Sequence, residues 1–505
     1  MKKYDIIIIG SGLGGLECAH VLSSEGYKVL ILEREAQPGG CMQSYRRQGL
    51  DFDTGFHYIG GLNAGEPLHR VFGMLGLLKL PWVRLDKDCF DRIHIQGKSF
   101  DLAQGRQNYV NHLAEYFPDE RHALTDLVNI LRESTEHQLD ALLPGMESKG
   151  IDMLPQAFAK PLSTSAWEYL NSTFHDKLLI DVLSGNAIRA ELRKDTLPLF
   201  TLAHINSSYI RSSWRLRGSG NLIVKSLLHD IEARGGEVRC NTEVKRLVEK
   251  DGRIVAAEGS DGNLYEGDIF ISDAHPAITY NMITDSKLIR PALRHRINRM
   301  QNTYGMLTVS LAIKKNTLEY RNHNDFVYSR PNIWDGFEAD EPVSGVMVSY
   351  RVPEDGSKYV RIIDLLTPIR WEACNQWADT HVGHRGDSYT TWKQYKADEC
   401  ISLAETVVPS LIESIEAEYI SSPITYRDYT LTPQGSAYGL RKDCNNAMFT
   451  VLSPRTPEPN LLLTGQSLML HGVEGVTITA LLTCAEVIGR KRIWEKIENY
   501  NSQTS

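Results

Sequence analysis

Tyr4-Asp5-Ile6-Ile7-Ile8-Ile9-Gly10-Ser11-Gly12-Leu13-Gly14-Gly15 is the stretch on which the reading of this chain turns. Four consecutive isoleucines read as an apolar strand. Glycines at 10, 12 and 15 follow at once as G-x-G-x-x-G, and an apolar helical segment comes next. Gly10 permits a tight turn, Gly12 lets the backbone approach a pyrophosphate, and Gly15 lets helix pack closely on strand. The helix N-terminus then offers free N–H groups to an anion. A bare glycine cluster is a weak signal, so the flanks decide. The next strand, Lys28 to Leu32, ends at Glu33, eighteen residues past Gly15. A carboxylate there accepts hydrogen bonds from ribose hydroxyls and repels a 2′-phosphate.

Outward from this turn the chain reads Arg34-Glu35-Ala36-Gln37-Pro38-Gly39-Gly40-Cys41, then Phe52-Asp53-Thr54-Gly55-Phe56-His57-Tyr58-Ile59-Gly60. A nicotinamide-type domain would continue into another helix here, not into a second glycine pair and an extended loop. From about 63 to 210 helical periodicity dominates, as in Asn108 to Leu131 and Lys177 to Arg193, with Pro81, Pro144, Pro155, Pro161 and Pro198 as breaks. Leu222 to Arg234 reads as a helix ended by Gly235-Gly236. Short strands follow at Glu237–Cys240, Val244–Val248, Ile254–Glu258 and Asp268–Ser272, with Asp251-Gly252 and Asp261-Gly262 as hairpin turns. Asn460 to Gly489 is again strand, glycine loop and helix. One nucleotide-binding fold built from three separated segments accounts for this alternation, and the intervening residues form a second domain facing it.

The 505 residues suffice for two or three domains and a large core. A formal charge of −8 argues against nucleic acid as a partner, because phosphate binding needs a basic surface. No apolar run approaches the length of a membrane-spanning helix, and the first apolar run leads straight into the glycine turn, unlike a secretory signal. The eight cysteines are scattered without a C-x-x-C pair, which suits reduced thiols in a cytoplasmic setting and neither a zinc site nor a disulfide framework. No metal site is expected.

The glycine turn, Phe52 to Gly60, and three further stretches resemble the FAD-dependent phytoene desaturases, carotenoid isomerases and retinol saturases of the amine-oxidase-like flavoproteins. These stretches are Arg217-Gly218-Ser219-Gly220-Asn221 with the hairpins that run to Ser272-Asp273-Ala274, then Thr432 to Gly439, and Asn460 to Gln466 continuing through Gly472 and Gly475. The Phe-Asp-Thr-Gly-x-His-Tyr-Ile-Gly segment is most similar to the retinol saturase branch. The resemblance implies an α/β fold: a Rossmann-like FAD-binding domain from residues 1–75, 215–290 and 425–495, a mixed α+β substrate domain from 76–214 and 291–424, and a tail at 496–505. It implies non-covalent FAD held by Gly10, Gly12, Gly14, Gly15, Glu33, Arg34, Gly39, Gly40, Cys41, His57, Val244, Gly465, Gly475, Val476 and Thr477. Val244 would meet the adenine through its backbone, and the turn before Val476 and Thr477 would set a helix N-terminus against the flavin pyrimidine. Many relatives carry arginine where this chain has Cys41, which is expected to be a buried packing cysteine.

The implied activity is oxidation or reduction of carbon–carbon bonds in a polyene lipid, with isomerisation without net redox change, or lipid carriage, as alternatives. Acid–base candidates on the loops expected to line the flavin are His57, Tyr58, Tyr438 and His471. No second strand–GxGxxG–helix unit exists, so NAD(P)H would act only as a transient electron donor. Two readings of Val71 to Trp82 stay open: a buried helix of the second domain, or a segment lying in a membrane interface at the inner face. Arg490-Lys491-Arg492 reads as a solvated helix end favoured by the dipole.

Overall fold

A computed structural model describes residues 3–135, 139, 158–337 and 341–504. Pro144 and Pro155 lie outside the described residues. Strand β1 (Tyr4–Ile9) is buried at every position except Asp5, as its isoleucine run requires. It enters helix α1 (Leu13–Ser23), whose eleven residues are all buried. A helix apolar all round has to be covered on all sides. Here β1 and its neighbours cover one side, while α2 (Asn221–Ala233) and α3 (Gly472–Ile488) cover the others.

Strands distant in sequence complete a parallel sheet around β1. Ile7 lies beside Leu30 of β2 (Val29–Leu32) and beside Phe270. Val238 of β3 (Glu237–Arg239) lies beside Ile31. An antiparallel extension is made by β4 (Val244–Lys250), β5 (Arg253–Gly259) and the first part of β6 (Leu264–Ser272). The rest of β6 is parallel to β1, and β7 (Leu461–Leu463) is parallel to β6, with Ile271 beside Leu462. The spatial order β3-β2-β1-β6-β7 brings the C-terminal ends of β1, β6 and β7 to one edge, where open α/β sheets bind ligands. Both residues of the Asp251-Gly252 turn are left-handed, at φ 52° and 76°, as a type I′ hairpin demands. At Asp261-Gly262 only the glycine is left-handed, at φ 78°, and Gly259 N–H reaches Asn263 O at 2.9 Å, so that loop is longer than expected.

A second seven-stranded sheet runs in the order Ile415–Ser421, Gly305–Ile313, Ile362–Ile369, Gly345–Tyr350, Asn324–Tyr328, Asp91–Ile95 and Lys98–Leu102. Helix Asp387–Glu405 packs on one face through Ala397, Cys400, Ile401 and Ala404. The other face meets an apolar cluster that includes residues of Arg106–Tyr116, Arg121–Glu133 and Leu199–Arg211. Ser213–Leu216 pairs with both Ile59–Gly60 and Trp82–Arg84, fixing the loop that carries His57 and Tyr58.

Several expectations need correction. The helical reading of residues 63–210 misses the hairpin Asp91–Ile95/Lys98–Leu102, whose Gln96 and Gly97 are both left-handed at φ 53° and 70°. Asn108 to Leu131 is two helices, because Pro118 cannot continue the first. Lys177 to Arg193 is α-helical only over Lys177–Ser184, with a short 3-10 turn at Ala187–Arg189. Gly489, at φ 83°, breaks α3, so Arg490 begins a new helix, Arg490–Thr504. The basic cluster therefore sits at an N-terminus, against the dipole. Arg492 and Lys496 offset this by pairing with Glu25, in the turn that follows α1, at 2.8 and 2.5 Å. Residues 496–504 of the expected tail belong to the same helix, which packs against Pro67–Met74. In Val71 to Trp82 the helix stops at Met74, and Val71, Phe72, Leu75 and Leu77 are buried with Ile6, Ile8 and Leu16, so the segment packs in the core around the glycine turn and not in a helix of the second domain. Among the described residues no helix is long and apolar enough to cross a membrane.

Candidate functional site

At the sheet edge where β1, β6 and β7 end, a cavity of about 400 Å³ opens and continues between the two sheets. The amino- and carboxy-terminal glycine loops meet at its head. A Cβ on Gly14 would lie 3.0 Å from the backbone nitrogen and 3.1 Å from the Cα of Gly465. Gly10, Gly12 and Gly14, Glu33 and Arg34, Gly40 and Cys41, Val244, Gly465 and Val476 all line this one space. Gly15, Gly39, Gly475 and Thr477 do not line it. A Cβ on Gly15 would overlap the Gly10 carbonyl oxygen, so this glycine serves helix–strand contact. Gly39, at φ 124°, donates its N–H to Ser11 Oγ at 3.1 Å. Gly475 leaves room for the Leu470 backbone, and the Thr477 hydroxyl donates to Glu17 Oε1 at 2.8 Å.

Glu33 is more committed than its motif implies. Its Oε2 accepts from the backbone N–H and the hydroxyl of Ser11, at 2.9 and 2.5 Å, and its Oε1 accepts from Glu35 N–H at 2.8 Å. The acid thus ties the end of β2 to the glycine turn; Oε2 has both lone pairs taken, and Oε1 keeps one acceptor position. Cys41 corrects its expectation: it is exposed, not packed, and the surface it shows is the cavity wall. The surrounding protein still pushes its thiol up to about 11, so it is a poor nucleophile.

Asp273 closes one of the family-like stretches, but no role at the site is expected of it from the sequence. Its N–H donates to Ile9 O at 2.9 Å, which continues the β1–β6 ladder by one step. That register swings its carboxyl under the glycine turn. A Cβ on Gly12 would overlap its Oδ2, and Cβ atoms on Gly14 and Gly465 would lie 2.8 and 2.5 Å from its Oδ1. Three glycines from two ends of the chain therefore make room for one carboxyl. Burial pushes it up to about 7, and nearby Glu33 adds to the rise, against N–H groups of Gly15 and Gly12 that favour the charged form.

The wider part of the cavity is apolar, with Ile188, Ile205, Met306, Met347 and Leu366 in its wall. All four acid–base candidates line it, yet they differ. Tyr58 gives its hydroxyl to Asp91 Oδ2 at 2.9 Å and Tyr438 gives its own to Ile188 O at 3.1 Å. His471 Nε2 is 2.8 Å from Arg189 O, and burial lowers its pKa to about 3, so the neutral ring donates there. In His57 both ring nitrogens are buried without a hydrogen-bond partner. Asp364 Oδ2 lies 3.8 Å from its Nδ1, too far for a hydrogen bond but close enough for Coulombic influence. Asp364 is itself held by Ser310 Oγ at 2.6 Å and by Arg351, which also pairs with Asp53. Burial lowers the His57 pKa, with Arg215 acting the same way and Asp364 opposing.

Residues 8–75 match the family of NAD(P)-binding Rossmann-like domains. Over 96% of its length the chain is 26% identical to the all-trans-retinol 13,14-reductase of Danio rerio, covering 86% of that protein. It is 23% identical to the chloroplastic prolycopene isomerase of Daucus carota over 87% of its length, covering 72% of that protein. A solved putrescine oxidase superposes with a TM-score of 0.64 at 13% identity, over 97% of this chain and 99% of that one. Over most of its length the sequence is similar to the all-trans-retinol 13,14-reductases and prolycopene isomerases, and its fold is that of the amine-oxidase-like structures.

Proposed function

We propose that this protein is an FAD-dependent oxidoreductase that adds or removes hydrogen across a carbon–carbon double bond of a long apolar polyene, of the retinoid or carotenoid kind. The observation that carries the reading is the single cavity, which joins a glycine-lined head to an apolar body. The head fits a dinucleotide: backbone at Gly12 and Gly14 is closely approached, the N-terminus of α1 faces the space, and Glu33 holds acceptor capacity beside it. In this reading Gly10, Gly12, Gly14, Gly40, Gly465 and Val476 supply backbone contact, Glu33 takes the ribose, and Val244 takes the adenine. When bound, FAD supplies hydride exchange at its ring system, and the protein orients and shields. The chain's own part in the chemistry is the proton. His57, with two unengaged nitrogens inside a water-poor wall, takes or gives it, while Asp364 biases the ring electrostatically.

The names of the two groups of relatives support this substrate class and also favour a second reading, isomerisation without net redox change. Anaerobic incubation of the photoreduced, FAD-loaded protein with retinol and carotenoid panels separates them. With the reduced protein, lost conjugation marks saturation and unchanged mass with altered retention marks isomerisation; gained conjugation in a parallel incubation of the oxidised protein, whose flavin accepts the two electrons, marks desaturation. A protein that takes up no FAD would end the oxidoreductase reading. Glu33→Gln tests the ribose assignment: FAD affinity should weaken by about 1.5–3 kcal/mol, the range for hydrogen bonds to charged groups. Equal affinity by fluorescence titration would place Glu33 outside the site.

A further inference from the structure

We propose that Asp273 is a proton-coupled anchor for the dinucleotide: its carboxylate takes one proton from solvent as the phosphates enter, so that cofactor affinity falls with rising pH. The inference rests on the reading that FAD binds at the glycine-lined head. It comes from where the carboxyl sits. Gly12, Gly14 and Gly465 lack the side chains that would collide with it, and it shares the N-terminus of α1 with the expected site of the phosphates. Two anions at one helix end, walled off from bulk water, repel far more strongly than they would in solvent. The pyrophosphate stays charged, so the carboxyl is the group that yields. Once protonated, Asp273 also becomes a hydrogen-bond donor, which a phosphate oxygen can use.

The surroundings strengthen the case. Glu33 faces Asp273 from the end of β2, and Glu17 faces it from α1, bonded to Thr477 and itself pushed up to about 8, chiefly by burial. Cys41 at about 11 and Cys18, well above its usual value, remain neutral thiols near pH 8. His275, two residues along, is lowered to about 4 by burial and stays neutral. No cation is among the groups that shift Asp273. In the free protein Asp273 is half-ionised near pH 7, so proton uptake on binding grows above that pH.

The test is FAD affinity from pH 6 to 8.5, with proton uptake measured by calorimetry in two buffers of different ionisation enthalpy. For the unaltered protein, Kd should rise about tenfold per pH unit above 7, with close to one proton taken up per FAD at pH 8.5. Asp273→Asn, the neutral isostere, should bind FAD with no pH slope and no uptake, and at pH 8.5 should bind at least tenfold more tightly than the unaltered protein. Glu17→Gln should keep the slope. The inference is overturned by pH-independent affinity of the unaltered protein, by a slope that survives Asp273→Asn, or by a slope lost in Glu17→Gln. Should Asp273→Asn fail to fold, the uptake measured on the unaltered protein and the Glu17→Gln slope still decide. Absence of FAD binding at every pH would instead overturn the proposed function together with this inference, whereas binding without uptake removes this inference alone.

Discussion

Gly12→Leu should yield a folded protein that purifies colourless, with no flavin absorbance near 450 nm and FAD affinity reduced at least a hundredfold, about 2.7 kcal/mol. The backbone at Gly12 is extended, with φ −62° and ψ 174°, so leucine meets no conformational strain there. The obstacle is space. The new Cβ would overlap Asp273 Oδ2, and the remaining carbons would have to enter the cavity head that Gly10, Gly14 and Gly40 also line. Moving Asp273 aside removes the carboxyl that joins the glycine loops, and leaving it in place forces the leucine into the phosphate position. Both outcomes exclude the dinucleotide. Gly15→Ala serves as the contrast: its Cβ would overlap a backbone oxygen inside the strand–helix contact, so it should lower thermal stability before it alters the cofactor. A Gly12→Leu protein with normal 450 nm absorbance would show that the dinucleotide, if bound, lies elsewhere.

The same residues show how far one-dimensional reading reaches. The glycine turn was legible because a β-branched run, three spaced glycines and an acid at the next strand end constrain each other locally. The meeting of the two ends was legible only through order along the chain, and β7 seats beside β6 as that order requires. Asp273 stands in a quoted stretch, yet its role was not legible, because nothing in its neighbours aims the carboxyl at the glycine turn. Its position depends on the β1–β6 register, a pairing across some 260 residues that no local pattern encodes. Asp364 escaped for the same reason, sitting mid-strand in a sheet whose partners come from Gly305–Ile313 and Gly345–Tyr350. The misreadings near Gln96, Pro118 and Arg490 were local instead: a two-residue left-handed turn without asparagine or aspartate, a proline break inside sustained periodicity, and a glycine that ends one helix one residue before another begins. Cys41 was misjudged because apolar flanks look alike whether they face a core or a cavity.

His57→Gln should retain FAD and lower the rate of carbon–carbon bond chemistry by about 10²–10⁴-fold, the usual weight of a positioned acid or base. Tyr58 and Tyr438 give their hydroxyls to Asp91 and Ile188 O, and His471 commits its Nε2 to Arg189 O, so His57 alone of the four has every polar side-chain atom unengaged. The pH profile then reports which way the proton travels. Burial lowers the His57 pKa below its ordinary 6.5, so the ring is neutral at pH 7. If it removes a proton, kcat/KM should be level at neutral pH and fall as pH drops through that lowered value. If it delivers one as the imidazolium, the rate should rise over the same interval. Asp364 opposes the lowering, so Asp364→Asn should carry the limb to still lower pH, while Ser310 can still donate to the new amide oxygen and hold it in place. A merely structural histidine would leave the limb unmoved in Asp364→Asn. A His57→Gln protein with unchanged rate and profile would remove the ring from the chemistry and return the proton to solvent.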